Sequence, residues 1–188
     1  MQAPAIDLSA LAREIDRFGA TWNYDVSYMH ALARAAPESF ATFGLVNQIV
    51  DRTAAPPEAL AAAGLVGTAA EDCGPCVQIS ADMAAAAGVK PEVIRAILAG
   101  DAAGMGETAA LAWRFARASL ARDMEAADPL REEIRRRWGE AGLAAIALQI
   151  TTARMYPTLK YALGFGQACS KVVVGGVAAP VARAAIAG

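Results

Sequence analysis

The chain is poor in the side chains that usually carry chemistry. Among 188 residues there is a single histidine, His30, and only three cysteines. An odd, small number of thiols argues against a structural disulfide framework and suits a reducing compartment. Aromatic residues make up 6% of a sequence that is 56% hydrophobic, so the apolar mass is Ala, Leu, Val and Ile, a composition that favours closely packed helices. Neither sign of charge dominates: the formal net charge is -2, and no cluster of Lys and Arg stands apart from acids. That excludes a phosphate-binding face, so no nucleic acid partner is expected. No uninterrupted run of about 18 apolar residues occurs, and Met1-Gln2-Ala3-Pro4 has neither a basic n-region nor an apolar h-region. A cytoplasmic protein without membrane contact is the expectation.

What is present reads as helix after helix, with no segment of sustained period-two alternation, so the fold class expected is all-α, with roughly seven to nine helices. Residues 7–18 form an amphipathic helix capped by Asp7 or Ser9, and a second runs from about Val26 to Ala35. Together they make residues 1–36 an N-terminal helical arm, with residues 37–188 as the main helical domain. Pro37 restarts the chain, and Phe40, Phe43, Leu45, Val46, Ile49 and Val50 form a packing stripe to about Arg52. Pro57 opens an almost wholly apolar helix to about Ala70, buried on most sides. The next helix ends at Gly88, Pro91 opens a short one ended by Gly100, and another runs to about Arg122. Asp128-Pro129 is expected to cap a helix whose Arg131, Glu132, Glu133, Arg135, Arg136 and Arg137 form a solvated face. Glu140 to about Met155 is apolar again, Pro157 starts a last helix to about Lys171, and Val172 to Gly176 breaks it.

The chemistry concentrates in Glu71-Asp72-Cys73-Gly74-Pro75-Cys76-Val77-Gln78-Ile79-Ser80. Two cysteines three apart in a first helical turn have Cα atoms about 5 to 6 Å apart, within disulfide range. A helix N-terminus also favours the thiolate, which is the reactive species. Asp72 is placed as the N-cap, and Glu71 as a candidate general base for the thiol proton. The bland alternative is that both acids are solvated residues at the positive helix end. His30 is read as a surface or satisfied core residue, and Cys169 as a buried small hydrophobe. A zinc site from Cys73, Cys76, Cys169 and His30 lacks the paired spacing of such sites, so no metal or other cofactor is expected.

Cys-Gly-Pro-Cys also occurs in thioredoxins, but there it follows a strand, and here residues 57–70 read as helix. The order of elements instead resembles the carboxymuconolactone decarboxylase superfamily, and within it the alkylhydroperoxidase D-like proteins. The resemblance rests on residues 37–122: Pro37-Glu38-Ser39-Phe40, the Pro57 helix, Cys73 to Cys76, Gly88-Val89-Lys90-Pro91-Glu92, Ile97-Leu98, Gly100 and the Glu107 helix. It implies a helical bundle with a buried Cys-x-x-Cys helix. It further implies that Cys76 attacks a hydroperoxide and Cys73 resolves the sulfenic acid to a disulfide, which helix physics alone does not decide. The partners implied are a hydroperoxide substrate, an external dithiol reductant of lipoyl or thioredoxin-like type, and further copies of the chain.

Two positions depart from that family. Its peroxidases carry a histidine four residues after the second cysteine, where this chain has Ser80, and a glutamate twelve residues before the first, where it has Ala61. Ser80 lies one turn beyond Cys76, able to hydrogen-bond a thiolate but not to act as a base near neutral pH. Glu58 and Glu71 are the candidate substitutes. Two functions follow: a thiol-dependent peroxidase or disulfide oxidoreductase in antioxidant defence, or a non-catalytic helical oligomeric module that has lost its proton relay. Self-association is expected because the helices at 57–70 and 140–155 carry more apolar surface than a monomer of this size needs to cover.

Overall fold

The structure, a computed structural model, describes residues 7–167 and 171–182. Among them are eight α-helices: α1 Leu8–Trp22, α2 Ser27–Ala35, α3 Pro37–Gly44, α4 Pro57–Ala69, α5 Gly74–Ala86, α6 Pro91–Ala99, α7 Gly106–Leu120 and α8 Met124–Ala162. A single 3₁₀ turn, Leu45–Gln48, extends α3, and a hairpin of β1 Val172–Val174 and β2 Val177–Ala179 closes the order. The chain is therefore predominantly helical, as its composition implies. Pro37, Pro57 and Pro91 each open a helix, where a missing N–H costs nothing. Asp7 caps α1 by accepting from the amides of Ser9 and Ala10 at 2.9 and 3.0 Å.

Helix α4 is the centre. Nine of its thirteen residues are buried, and it packs on α5, α6, α7 and α8. Its glycines set how closely α8 approaches: a Cβ on Gly67 would lie 2.8 Å from the carbonyl oxygen of Ile150. Because α4 is sheathed within one chain, its apolarity is satisfied there and gives no argument for self-association. In the second half of α8, Ala144, Ala147, Leu148 and Thr151 remain exposed.

Helices α1 to α3 build a second, smaller core. Ile15, Tyr28, Met29, Ala33 and Phe40 are buried together, with Phe18, Tyr24, Tyr156 and Leu159 packed against them. The N-terminal helices thus fold back onto the C-terminal half of α8, and the space between the two cores is the cavity described below.

Four boundaries differ from the sequence reading. The helix expected to begin at Asp128-Pro129 begins earlier, capped by Asp123, which accepts from the Ala126 amide at 3.0 Å; Pro129 lies inside it. Arg136 and Arg137 pair with Glu133 on its solvated face, each at 2.5 Å. Gly139, at φ 70° and ψ -175°, breaks α8 into two helical halves, a geometry that residues with a Cβ rarely take. Pro157 does not start a new helix but sits within α8, which stops at Ala162 rather than near Lys171. Finally, the Val172 to Gly176 break is an antiparallel hairpin turned by Gly175-Gly176, both at positive φ as a tight two-residue turn requires. Three-residue strands are too short for alternation to show. The hairpin is held by Gln78 of α5, whose side-chain amide donates to the Val173 carbonyl at 2.9 Å and accepts from its amide at 2.8 Å.

No helix among the described residues is long and apolar enough to cross a membrane.

Candidate functional site

Helices α4 and α5 are joined by a turn of four residues, and Asp72 supplies the reversal at φ 49°, a left-handed conformation that Asp tolerates better than most. Asp72 is therefore not the N-cap of α5. That position belongs to Cys73, at φ -102° and ψ 96°, whose carbonyl accepts from the Val77 amide at 2.9 Å. The turn is clamped by one stripe of α8. Arg154 Nε donates to Glu71 at 2.5 Å, the Thr158 hydroxyl lies 3.3 Å from the other Glu71 oxygen and 2.7 Å from the Arg154 carbonyl, its one proton serving either, and the Tyr161 hydroxyl donates to the Asp72 carbonyl at 2.9 Å. Residues 154, 158 and 161 recur at helical spacing, so one face of α8 anchors the whole turn.

Cys73 and Cys76 are joined as a disulfide, with Cα atoms 5.2 Å apart across the first turn of α5. Both are buried, at 0% and 3% exposure. They differ in what they face. Cys76 lines a cavity of about 470 Å3 between the two cores, whereas Cys73 does not. The cavity wall is largely apolar, with Ile15, Phe18, Met29, Phe40, Ile79 and Met83, and its polar groups include Tyr24, Asn47, Arg52, Ser80 and Gln149.

Against Cys76 Sγ the structure sets the Tyr24 hydroxyl, at 3.6 Å. Behind Tyr24 stands Lys160 of α8, wholly buried, with Nζ 3.4 Å from that hydroxyl, 4.7 Å from the Tyr24 ring and 5.1 Å from the Tyr28 ring. The two rings meet edge to face at 6.3 Å. Burial pushes the Tyr24 phenol up to about 12, and it pushes Tyr28 further still, the neighbouring Tyr24 adding to the effect. Burial also lowers the Lys160 ammonium from its ordinary value, and the charge of Asp25 opposes this. Asp25 is itself held low by the Ser27 hydroxyl and amide, at 2.6 and 2.9 Å. The result is a phenol that keeps its proton, touching the sulfur on one side and a buried cation on the other.

The residues singled out from sequence fall in different places. Ser80 lines the cavity with Cys76, but its hydroxyl is 3.2 Å from Thr68 Oγ1, which itself donates to the Gly64 carbonyl at 2.9 Å. Thr68 also lies 3.4 Å from the carbonyl of Ala153, which Pro157, lacking an N–H, leaves without its helical partner. Ala61 and Ser80 share an adjoining cavity of about 300 Å3, so the two positions expected to hold a relay do face common space, with Arg52 also on its wall. Glu71 is engaged by Arg154 and Thr158 and serves as an anchor of the turn. Glu58, half-buried, lines neither cavity. His30 pairs with Asp16 at 2.8 Å on the outer side of α1 and α2. No cluster of metal-ligating side chains occurs among the described residues, and Cys169 lies outside them.

Sequence reasoning missed Tyr24, Tyr28 and Lys160. A signal was there: the chain has fourteen arginines and only three lysines, and one of those lysines lies in a helix stretch otherwise without charge after Arg154. Its partner tyrosines are 136 and 132 residues away, a distance no local pattern bridges.

No protein-family model matches the chain, and neither does any curated protein or solved structure.

Proposed function

We propose that the protein is a thiol-dependent peroxidase, an alkylhydroperoxidase D-like oxidoreductase in which Cys76 attacks a hydroperoxide and Cys73 resolves the product. The observation that carries this reading is the Cys73–Cys76 disulfide at the head of α5, with Cys76 alone of the pair on the wall of the cavity between the two cores. In the reduced protein the Cys76 thiolate attacks the outer oxygen of ROOH. The S–O bond forms as the O–O bond breaks, and the leaving RO⁻ takes a proton to become an alcohol. The Cys73 thiol then attacks the sulfenic sulfur, water leaves, and the disulfide closes. Two thiols reduce one peroxide to one alcohol and one water, with no cofactor, and an external dithiol restores the pair by exchange.

The order of an apolar α4, a Cys-x-x-Cys at the start of α5, Gly88 and a Pro-opened α6 supports the family resemblance. A cavity of about 470 Å3 with apolar walls favours an organic hydroperoxide over hydrogen peroxide. Because both sulfurs are buried, a slender dithiol such as a lipoyl group suits the site better than a thioredoxin-like surface. Cytoplasmic antioxidant defence is the setting this chemistry serves, and the exposed strip of α8 at Ala144, Ala147 and Leu148 is where self-association of copies would occur.

A second reading, a helical module of the same fold without catalysis, is favoured by Glu71 and Ser80 being committed to Arg154 and Thr68. The two are separated by mixing the fully reduced protein with cumene hydroperoxide without oxygen. The peroxidase gives one cumyl alcohol per disulfide, far faster than free cysteine does. Oxidation no faster than free cysteine would leave only the structural module.

A further inference from the structure

Within the peroxidase reading, we propose that Tyr24 is the acid of the reaction, giving its proton to the alkoxide as it leaves the peroxide, with Lys160 as the positioning residue that holds the phenolate formed. The chemistry demands such a group. When the O–O bond breaks, RO⁻ departs as a strong base, and a proton delivered in the transition state is worth about 10²–10⁴-fold in rate. Glu71 is tied to Arg154 and the Ser80 hydroxyl to Thr68. Tyr24 is the polar side chain placed 3.6 Å from Cys76 Sγ, on the cavity wall where a peroxide bound for in-line attack must lie.

The phenol suits the task from both directions. At about 12 it holds its proton in the resting site, yet a phenolate is a far weaker base than an alkoxide, so transfer to RO⁻ runs downhill. Once formed, the phenolate has a receptor already built. The Lys160 ammonium lies 3.4 Å from the oxygen, and the buried Tyr28 hydroxyl is close enough to donate to it. A preorganised cation in a water-poor site stabilises charge where it develops. A lysine can also pass a proton back to Tyr24, which an arginine cannot. The ionisable groups near this cluster include Asp25 before α2 and Tyr156 of α8, and the cavity wall that Tyr24 shares with Cys76 also carries Glu14 and Arg52.

The test exploits the leaving group. tert-Butyl hydroperoxide expels an alkoxide and needs the proton; peracetic acid expels acetate and does not. Stopped-flow oxidation of the reduced protein is compared for the wild type, Tyr24→Phe and Lys160→Met. Tyr24→Phe is expected to lose about 100-fold on tert-butyl hydroperoxide, yet to stay within a few-fold of wild type on peracetic acid. Compared at a pH above the midpoint of Cys76 alkylation by iodoacetamide in each protein, a midpoint the loss of the cation is expected to raise, Lys160→Met is expected to lose about 10-fold on the first substrate only. In the unmutated protein, the solvent deuterium isotope effect is expected to be larger for tert-butyl hydroperoxide than for peracetic acid, a readout that needs no variant to fold. Equal losses on both peroxides, or equal isotope effects, overturn the role of Tyr24 while leaving the peroxidase intact. A wild type no faster than free cysteine on either substrate overturns both.

Discussion

Replacing Gly67 with alanine sets two opposed effects against each other on one helix. Alanine in place of a helix glycine is favourable by about 1 kcal/mol. At Gly67 the new methyl would stand 2.8 Å from the Ile150 carbonyl oxygen and 3.2 Å from the Ala153 Cβ, both fixed parts of α8. Overpacking against backbone costs about 1 to 3 kcal/mol beyond what relaxation recovers, and here α4 and α8 must part. The net expected is a loss of about 1 to 2 kcal/mol, read as a fall in melting temperature of about 3 to 6 °C for a chain of this size. Gly64, one turn earlier, is the internal control. Its methyl would meet the Gln149 Nε2 at 2.7 Å, the far end of a side chain that can turn aside into the cavity. Gly64→Ala is therefore expected to be neutral or slightly stabilising. Parallel thermal and urea melts of the two variants decide the matter. A Gly67→Ala protein as stable as Gly64→Ala would refute the close approach of α4 and α8 on which the placement of Lys160 and Arg154 depends.

Other consequences follow from the site and its supports. Tyr24 stands near 12 in the folded protein against an ordinary 10, and an acid raised on folding stabilises below its unfolded value and loses that contribution as pH climbs through the folded one. Stability should thus fall between about pH 10 and 12, and urea melts with tyrosinate absorbance should show Tyr24→Phe flattening that fall; an unchanged slope would contradict the burial of the phenol. Arg154→Met removes a partly exposed ion pair and should cost only about 1 kcal/mol, but it frees Glu71 and loosens the turn, so faster amide exchange at Asp72 and Cys73 is the sharper readout. Gln78→Ala deletes two neutral hydrogen bonds to Val173, worth about 1 kcal/mol each, and should open the hairpin to proteolysis while the helices persist.

Much of the architecture was legible because it is written locally. Proline at Pro37, Pro57 and Pro91 and glycine at Gly88 and Gly100 mark helix ends through backbone constraints that act within a turn, and the apolar run after Pro57 announces a buried helix. The errors arose where local signals compete. Pro157 reads as a start, but neighbours hold α8 through it, and the Ala153 carbonyl it frees faces Thr68. Asp72 reads as a cap because Asp caps well, yet the reversal between α4 and α5 needs a left-handed residue there and passes the cap position to Cys73. The cysteine pair was visible from its spacing alone. Its surroundings were not: Tyr24 reaches Cys76, and Lys160 reaches Tyr24, only because α1 and α2 fold back over α8, a long-range packing event that leaves no periodic trace.

Whether Cys76 is the sulfur that meets the peroxide is decided in reduced Cys73→Ser, where no resolving thiol remains. The variant is mixed with cumene hydroperoxide, quenched with dimedone on the stopped-flow timescale and mapped by peptide mass spectrometry. A dimedone adduct on Cys76 is expected to form as fast as the wild-type disulfide, with no such adduct at Cys73 in the matching Cys76→Ser protein. A rapid adduct at Cys73, or labelling of Cys76 no faster than a free thiol, would contradict it.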